Sequence, residues 1–399
     1  MRPDLENLIP KEEALIRLFA RWTPKQETEV VPLAEAAGRV LAKDQFAGYD
    51  LPVVRASTMD GIAVKSVRFT DGVPDTSDWK LGIDYVRADT GDDFDDAFDA
   101  VIAIENVTFL ENGGIRLPEK INASKGFNVK PRGADVRKGA LLVPQGTVLT
   151  ALDIAAIGMG GADVVPVVKK PRVAFLPTGS ELVPVGTPLQ RGQNFDTNSL
   201  LAPQLLQEMG AEPIVHTIVP DDPKQIAAAF DELLETADIV LVNAGTSKGQ
   251  EDYCARLLAE RGEVLFHGVA AVPGRPMSMA IVQGKPVVNL SGPTFAAFYS
   301  MDWAVRAMVC RALDILVPKR HTVQAELKQP LQLPSFFSVM SSIRLEQRED
   351  GTYTAAPLPL RGPKSVGTAA ALTADAVYVS KLGEKAHAAG EMIEVEVLR

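Results

Sequence analysis

Three apolar runs constrain this chain more than any other feature. Arg172-Val173-Ala174-Phe175-Leu176 breaks at Pro177-Thr178-Gly179-Ser180-Glu181-Leu182. Asp238-Ile239-Val240-Leu241-Val242-Asn243 breaks at Ala244-Gly245-Thr246-Ser247-Lys248-Gly249-Gln250-Glu251-Asp252. Pro286-Val287-Val288-Asn289-Leu290 breaks at Ser291-Gly292-Pro293. Short continuous Val/Ile/Leu runs bounded by turn residues suit strands buried on both faces. Helical patterns fill the intervals: Leu200, Leu201, Leu205, Leu206 and Met209 stop at Gly210, and Ile226, Phe230, Leu233 and Leu234 follow Asp222-Pro223. That alternation predicts parallel strands joined by right-handed crossovers, a doubly wound α/β domain over 171–318. Ligands bind such sheets at the carboxyl ends of the strands, so that edge is the expected site.

The remainder must form other domains, because 399 residues exceed one core. Residues 1–45 read as helix, turn and helix, the second over Pro32 to Leu41. A helix from Leu152 to Gly158 then rejoins this piece, giving a discontinuous helical linker over 1–45 and 146–170. Between them, 46–145 carries short runs such as Ala63-Val64, Tyr85-Val86-Arg87 and Ala100 to Ile104, separated by Gly and Asp, which predicts a β-rich inserted domain. Ile214 to Val219 and a stretch near Val264 read as strands, and Ala296 to Leu316 as a long closing helix. From 319 onward, alternating apolar and polar residues predict a small C-terminal β-barrel.

Composition narrows the function. Lys and Arg number 41 against 51 Asp and Glu, a net charge of −10, which argues against a nucleic-acid binder. Cys254 and Cys310 have neither metal-ligand nor disulfide-framework spacing, which fits a reducing compartment. The start of the chain lacks a signal-peptide pattern, and no apolar run reaches membrane-spanning length. A cytoplasmic protein without membrane contact is expected.

Gly245-Thr246-Ser247-Lys248-Gly249 leaves a buried strand. Small residues there let backbone N–H groups point inward, and Lys248 adds positive charge, an arrangement suited to phosphate or to a plain turn. The same residues fit a G-x-S-x-G nucleophile elbow built on Ser247, except that an elbow enters its helix at once and Gln250-Glu251-Asp252 intervenes. Glu181, on the neighbouring strand end, suits a ribose hydroxyl or a metal-bound water. Asp222 reads as a helix cap. The run from Asp92 to Asp99 lacks the glycine and final glutamate of an EF-hand loop and reads as a solvated turn.

Jointly these pieces resemble the MoeA/gephyrin E-domain family, the molybdopterin molybdenumtransferases. Ser57-Thr58-Met59-Asp60-Gly61-Ile62-Ala63 is similar to that family's S-x-M-D-G-Y-A signature. Arg87-Ala88-Asp89-Thr90-Gly91 with Asp99-Ala100-Val101-Ile102 is similar to its T-G-A…D-A-V-V segment. Thr178 to Leu182 is similar to T-G-D-E-L, Asp196-Thr197-Asn198 is retained, and Gly245 to Asp252 is similar to G-G-V-S-V-G-x-x-D. The resemblance implies a MogA-like α/β domain, the inserted β-rich domain, the linker and the barrel. It also implies a homodimer whose site lies between the α/β domain of one subunit and the β-rich domain of the other. The implied reaction inserts molybdate into adenylylated molybdopterin and releases AMP with Mg²⁺, in molybdenum cofactor biosynthesis beside other proteins of that pathway. The family's acidic and hydroxyl positions fall on Asp60, Thr90, Glu181, Asp221 and Asp252, with metal at Glu181, Asp221 and Asp252. Substrate-binding positions fall on Thr178, Gly179, Ser180, Gly245, Thr246, Ser247, Lys248, Gly249, Arg275 and Gly292.

The chain departs from the family where an oxyanion would bind. Its K-x-x-x-K-P-G-K-P stretch is Gly268-Val269-Ala270-Ala271-Val272-Pro273-Gly274-Arg275-Pro276, so Gly268 and Val272 stand for two lysines. In the C-terminal domain, Arg344, Arg361, Lys364 and Ser365 are candidates for the family's basic region. An oxyanion needs positive charge or N–H donors to offset its desolvation. A pterin-binding or protein-interaction scaffold without turnover is therefore the competing expectation.

Overall fold

The computed structural model describes residues 8–244, 250–359 and 365–399. The chain divides into two compact units, Thr28–Val168 and Met1–Glu27 with Lys169–Arg399.

In the Thr28–Val168 unit, two stretches far apart in sequence share one core. Leu33, Ala36 and Leu41 pack with Val143, Leu149, Ile157, Val165 and Val167. The helix Ala151–Met159 starts in a reciprocal capping box between Thr150 and Asp153. The helix expected over Pro32 to Leu41 does not form. Thr28–Pro32 is a strand paired antiparallel with Val164–Val168, and only Leu33–Glu35 turns as a 3-10 helix. Val30, Val31 and the proline at 32 suit a strand edge, and Gly38 takes a left-handed φ of 72° that ends any helix there. A second core forms on the antiparallel sheet of Tyr85–Ala88, Gly61–Val64 and Ala100–Ala103, with Ile62, Val64, Trp79, Tyr85, Ile102 and Ile115.

The other unit carries the helix Lys11–Arg21, the α/β domain and the barrel. Its sheet runs Glu212–Val215, Arg172–Pro177, Ile239–Ala244, Lys285–Ser291, Ser278–Val282, Glu263–His267. The first four strands are parallel, as the alternation of runs and helices predicts. Ser278–Val282 instead runs antiparallel to both its neighbours, Lys285–Ser291 and Glu263–His267, because the segments joining it to them hold no crossover helix. Helices Pro223–Thr236 and Gln250–Arg261 cover one face through Phe230, Leu233, Leu234, Leu257 and Leu258, against Ala174, Leu176, Val240, Val242 and Val287. The alternate positions Val173, Phe175, Ile239 and Leu241 are equally buried and face the other way, where Asn198–Glu208 and Thr294–Ser300 pack. The sheet is thus doubly wound. The closing helix is not continuous: Thr294–Ser300 passes through a π turn, Met301–Val305, into Arg306–Leu313. Asp302 in that turn pairs with both Arg306 and Arg320.

Five strands close the C-terminal barrel. Ser338–Gln347 pairs with Tyr353–Leu358 and Ala376–Val379, Thr322–Leu327 with Tyr353–Leu358 and Met392–Val397, and Ala376–Val379 with Met392–Val397. Closure leaves no free sheet edge, and Ala325, Leu327, Ile343, Ala355, Ile393 and Val395 fill the interior. On the outside, His387 sits between two carboxylates: Nε2 is 3.0 Å from Glu384 Oε1, and Nδ1 is 3.0 Å from Glu391 Oε2. Tyr378 also bonds Glu384 and lies 2.9 Å from His387 Nε2. Burial pulls the imidazole down, but the bonds to Glu384 and Glu391 outweigh it and hold its pKa above the ordinary value. A raised folded-state pKa contributes stability that is present below the unfolded value, about 6.5, and is lost as pH rises through the folded one. Thermal stability is therefore expected to decline from just above pH 6.5 upward, and His387→Gln to flatten that decline. Parallel melting curves for both proteins across pH 5.5 to 8.5 would contradict this.

Candidate active site

The carboxyl edge of the parallel strands holds a cavity of about 480 Å³. Thr178 ends the first strand; its N–H and Oγ1 donate to the Asn243 carbonyl at 3.0 and 3.1 Å, tying two strand ends together. Gly179 follows at φ 151°, donating its N–H to the Val219 carbonyl. A Cβ on Gly179 would lie 3.0 Å from both Glu181 carboxylate oxygens and from Leu182 Cγ. The glycine therefore supplies both the backbone conformation and the room that Glu181 occupies. Ser180 Oγ accepts the Asp221 N–H at 2.9 Å, which ties the loop carrying Glu181 to the loop carrying Asp221.

Asparagines organise the cavity floor. Asn198 Nδ2 donates to Asn243 Oδ1 at 2.8 Å and to the Gly292 carbonyl at 2.6 Å. Asn243 Nδ2 donates in turn to the Ser291 carbonyl at 3.0 Å. Asn198 Oδ1 is buried and has no partner among the described residues. Asp196, not Thr197, caps the helix Asn198–Glu208, accepting the Ser199 N–H at 3.0 Å, while Thr197 and Thr294 hydroxyls meet at 2.7 Å. Thr368, from the barrel region, completes the lining. The resulting wall offers hydroxyls, amides, backbone groups and the Glu181 carboxylate, which suits a polar ligand.

Among the expected site residues, Thr178, Glu181 and Gly292 line this cavity, Gly179 and Ser180 lie between two of them in the chain, and Asp221 is joined to Ser180 by the hydrogen bond from its N–H. Asp252 lies in the first turn of the helix Gln250–Arg261. Gly245, Thr246, Ser247, Lys248 and Gly249 lie outside the described residues, as do Arg361 and Lys364. Asp222 is the helix cap expected of it, accepting from Lys224 and Gln225 N–H groups. Arg344 is engaged with Asp375 and the Thr373 carbonyl.

The segment with the replaced lysines forms its own structure. Ala271–Val272 pairs in parallel with Ser338 and Val339 of the barrel, and the Val269 N–H donates to the Arg275 carbonyl. Arg275 is half-buried in the turn before Ser278–Val282 and has no ion pair among the described residues. His267, Ser278 and Asn289 stand directly opposite one another on three adjacent strands, each with a buried polar atom lacking a partner among the described residues. Neither Asn243, which lines the cavity, nor Asn289, which does not, is among the residues expected from the sequence. Their signal was an asparagine closing or interrupting an otherwise apolar buried strand, where a polar side chain is costly unless it is bonded.

In the Thr28–Val168 unit, Asp60 and Thr90 come together. Asp60 Oδ1 accepts the Thr90 N–H at 2.7 Å and the Thr90 hydroxyl at 2.8 Å. Those two bonds hold the exposed carboxyl below the usual range. Gly61 is required by close approach, since a Cβ there would stand 2.0 Å from the Ile102 carbonyl oxygen. The acidic run nearby serves its own turns: Asp93 and Asp95 accept local N–H groups, and Asp99 accepts the Ser66 N–H and hydroxyl.

Comparison with known proteins agrees with this geometry. Residues 9–161 match the MoeA N-terminal region (domain I and II), and residues 174–310 match the probable molybdopterin binding domain. A molybdopterin molybdenumtransferase of Haemophilus influenzae is 30% identical over 76% of this chain and 78% of its own length. One of Bacillus subtilis is 29% identical over 98% of this chain and 94% of its own. The crystal structure of a molybdopterin biosynthesis MoeA protein from Pyrococcus horikoshii superposes with a TM-score of 0.81 at 27% identity, covering 98% of this chain and 99% of that one. With these matches spanning both units and the cavity at the predicted sheet edge, the chain belongs to the MoeA family of molybdopterin molybdenumtransferases.

Proposed function

We propose that this chain inserts molybdate into adenylylated molybdopterin and releases AMP, a step of molybdenum cofactor biosynthesis. The observation that carries the reading is the polar cavity at the carboxyl edge, where Thr178, Glu181, Asn198, Asn243 and Gly292 converge. Thr178, Gly179, Ser180 and Gly292 bind the pterin nucleotide through hydroxyl and backbone groups. Gly245, Thr246, Ser247, Lys248 and Gly249 are assigned to its phosphates on their motif alone, and Arg275 to the oxyanion. Glu181, Asp221 and Asp252 orient the nucleotide and its cation. Mg²⁺ takes one or two carboxylates and fills its shell with water and phosphate oxygens. Glu181 and Asp221, on loops tied together by the Ser180–Asp221 bond, suit that demand, and no preformed cage of three His, Cys, Asp or Glu exists among the described residues. Bound there, Mg²⁺ would offset phosphate charge. The deciding experiment supplies purified protein with Mg²⁺, molybdate and adenylylated molybdopterin. AMP release that depends on molybdate supports the enzyme; tight pterin binding without turnover would favour a scaffold with a degenerate oxyanion site.

The working unit in this proposal is a homodimer, in which Asp60 and Thr90 complete the partner's site. Support comes from uncovered apolar side chains around the linker core: Leu152 is 82% exposed, with Val30, Val148, Met159 and Val164 also exposed. Leu152→Glu is expected to shift the protein from dimer to monomer in light scattering. An unchanged mass, or a wild type already monomeric at micromolar concentration, would remove this part. No helix among the described residues is long and apolar enough to cross a membrane. Two free, buried thiols suit a cytoplasmic setting, and burial, then Asp221, pushes Cys254 up to about 12, which keeps it unreactive.

A further inference from the structure

We propose a second ligand site, for a phosphorylated small molecule, in a basic basin at the amino ends of the parallel strands. The basin encloses about 350 Å³ between Arg172, which opens the first strand, Asp238, which precedes the second, and Lys285, which opens the third. A strand of six residues separates its edge from the cavity edge, about 20 Å at roughly 3.3 Å per residue. The two sites therefore do not share a ligand.

Charge sets the basin apart. Five cations line it, Lys25, Lys169, Lys170, Arg172 and Lys285, against two carboxylates, Glu27 and Asp238. This surplus sits in a chain whose net charge is −10. The available carboxylates are already divided. Glu27 serves Lys25 at 2.7 Å and Lys169 at 3.3 Å. Asp238 accepts the Arg172 backbone N–H at 2.7 Å and stands 3.6 Å from its guanidinium. Lys285 is tethered by the Leu234 carbonyl at 2.6 Å, which fixes the ammonium without neutralising it. Lys170 is half-buried and has no partner among the described residues. Several ammonium groups and a guanidinium converging on one concavity, with too few anions between them, match the demand of a phosphate dianion.

Size and shape select an organic phosphate. The volume exceeds what inorganic phosphate fills and lies in the range of small-ligand pockets. Trp22, Pro24, Pro171 and Ala312 add apolar wall. The basin lies on the sheet edge opposite the candidate active site, which casts its occupant as an effector. Both chain crossings into the other unit leave from its rim, at Glu27 and Lys169, whose backbones are joined by a 2.8 Å hydrogen bond. An effector here would act on the residues through which the two units are connected.

The test uses the full chain and a site-specific readout. Lysine acetylation by an N-hydroxysuccinimide ester is followed by mass spectrometry with AMP, adenosine or inorganic phosphate present. AMP is expected to slow labelling of Lys169 and Lys170 at least five-fold, and adenosine to leave it unchanged. Calorimetry should show that this AMP binding weakens at least ten-fold in a Lys169→Gln/Lys170→Gln variant and persists in Glu181→Gln. Unchanged labelling at saturating AMP, or equal protection by adenosine, would overturn the site. Protection by inorganic phosphate equal to that by AMP would overturn the choice of an organic ester. None of these readouts depends on molybdate-driven turnover, so the site and the proposed enzyme stand or fall separately.

Discussion

Asn243→Leu is expected to destabilise the protein by about 2–4 kcal/mol while leaving its fold recognisable. Asn243 is 2% exposed, and its amide bonds in two directions, accepting from Asn198 and donating to the Ser291 carbonyl. Leucine has similar volume, so no cavity opens. The substitution instead leaves the Ser291 carbonyl without its donor and removes one acceptor from Asn198. Each buried group left unpaired costs about 1–3 kcal/mol. Asn198 keeps its bond to the Gly292 carbonyl, which places the total below twice the upper figure. Urea unfolding monitored by circular dichroism measures the change, and a loss under about 0.5 kcal/mol would show that the asparagine pair does not hold these strand ends. Nucleotide affinity should fall with it, because the same network shapes the cavity floor.

Glu181→Gln carries the largest expected loss of activity. The side chain keeps its size beside Gly179, and only the charge disappears. If Glu181 positions a cation on the substrate's phosphates, AMP release should drop by about two to three orders of magnitude, the range seen when one electrostatic stabiliser is removed. Folding stability should barely move, since Glu181 makes no ion pair among the described residues. A fall of less than three-fold in AMP release would assign the carboxylate to cavity shape alone. Raising Mg²⁺ should partly restore the variant, a response that a purely steric role would not show.

Much of the α/β domain was legible because its signals are strong and redundant. Three uninterrupted apolar runs, each closed by glycine or proline, predicted three adjacent parallel strands at their observed places. The antiparallel pair at Glu263–His267 and Ser278–Val282 was not legible from periodicity, which is silent on strand direction. The missed strand at Thr28–Pro32 has a tertiary cause: its partner, Val164–Val168, lies far along the chain, and local pattern cannot report such a pairing. At the site, the Thr178-Gly179-Ser180-Glu181 break at a strand end marked Glu181, which lines the cavity. Asn198 and Asn243 act through each other across the sheet, and a residue whose role is a partner far away in sequence leaves little local trace. Asp60 and Thr90 came from the family resemblance, and the structure places them within hydrogen-bonding distance.

The segment at Val269–Val272 takes on a different aspect when its backbone partners are traced. The Ala270 N–H donates to the Ile9 carbonyl, the Ser338 N–H donates to the Ala270 carbonyl, and Val272 pairs with Val339. Three pieces of chain, one near the amino terminus, one central and one in the barrel, are thus sewn together by main-chain bonds at one place. Each pairing requires closure of a long loop, whose entropic cost must be met before the contact rewards it. This seam should form late in folding and exchange its amide hydrogens early, ahead of the strand interiors on either side. It also means that the α/β domain and the barrel are poor candidates for separate expression. Cutting between them would bare the stitched backbone of Ala270 and Val272, turning an internal join into an exposed sheet edge.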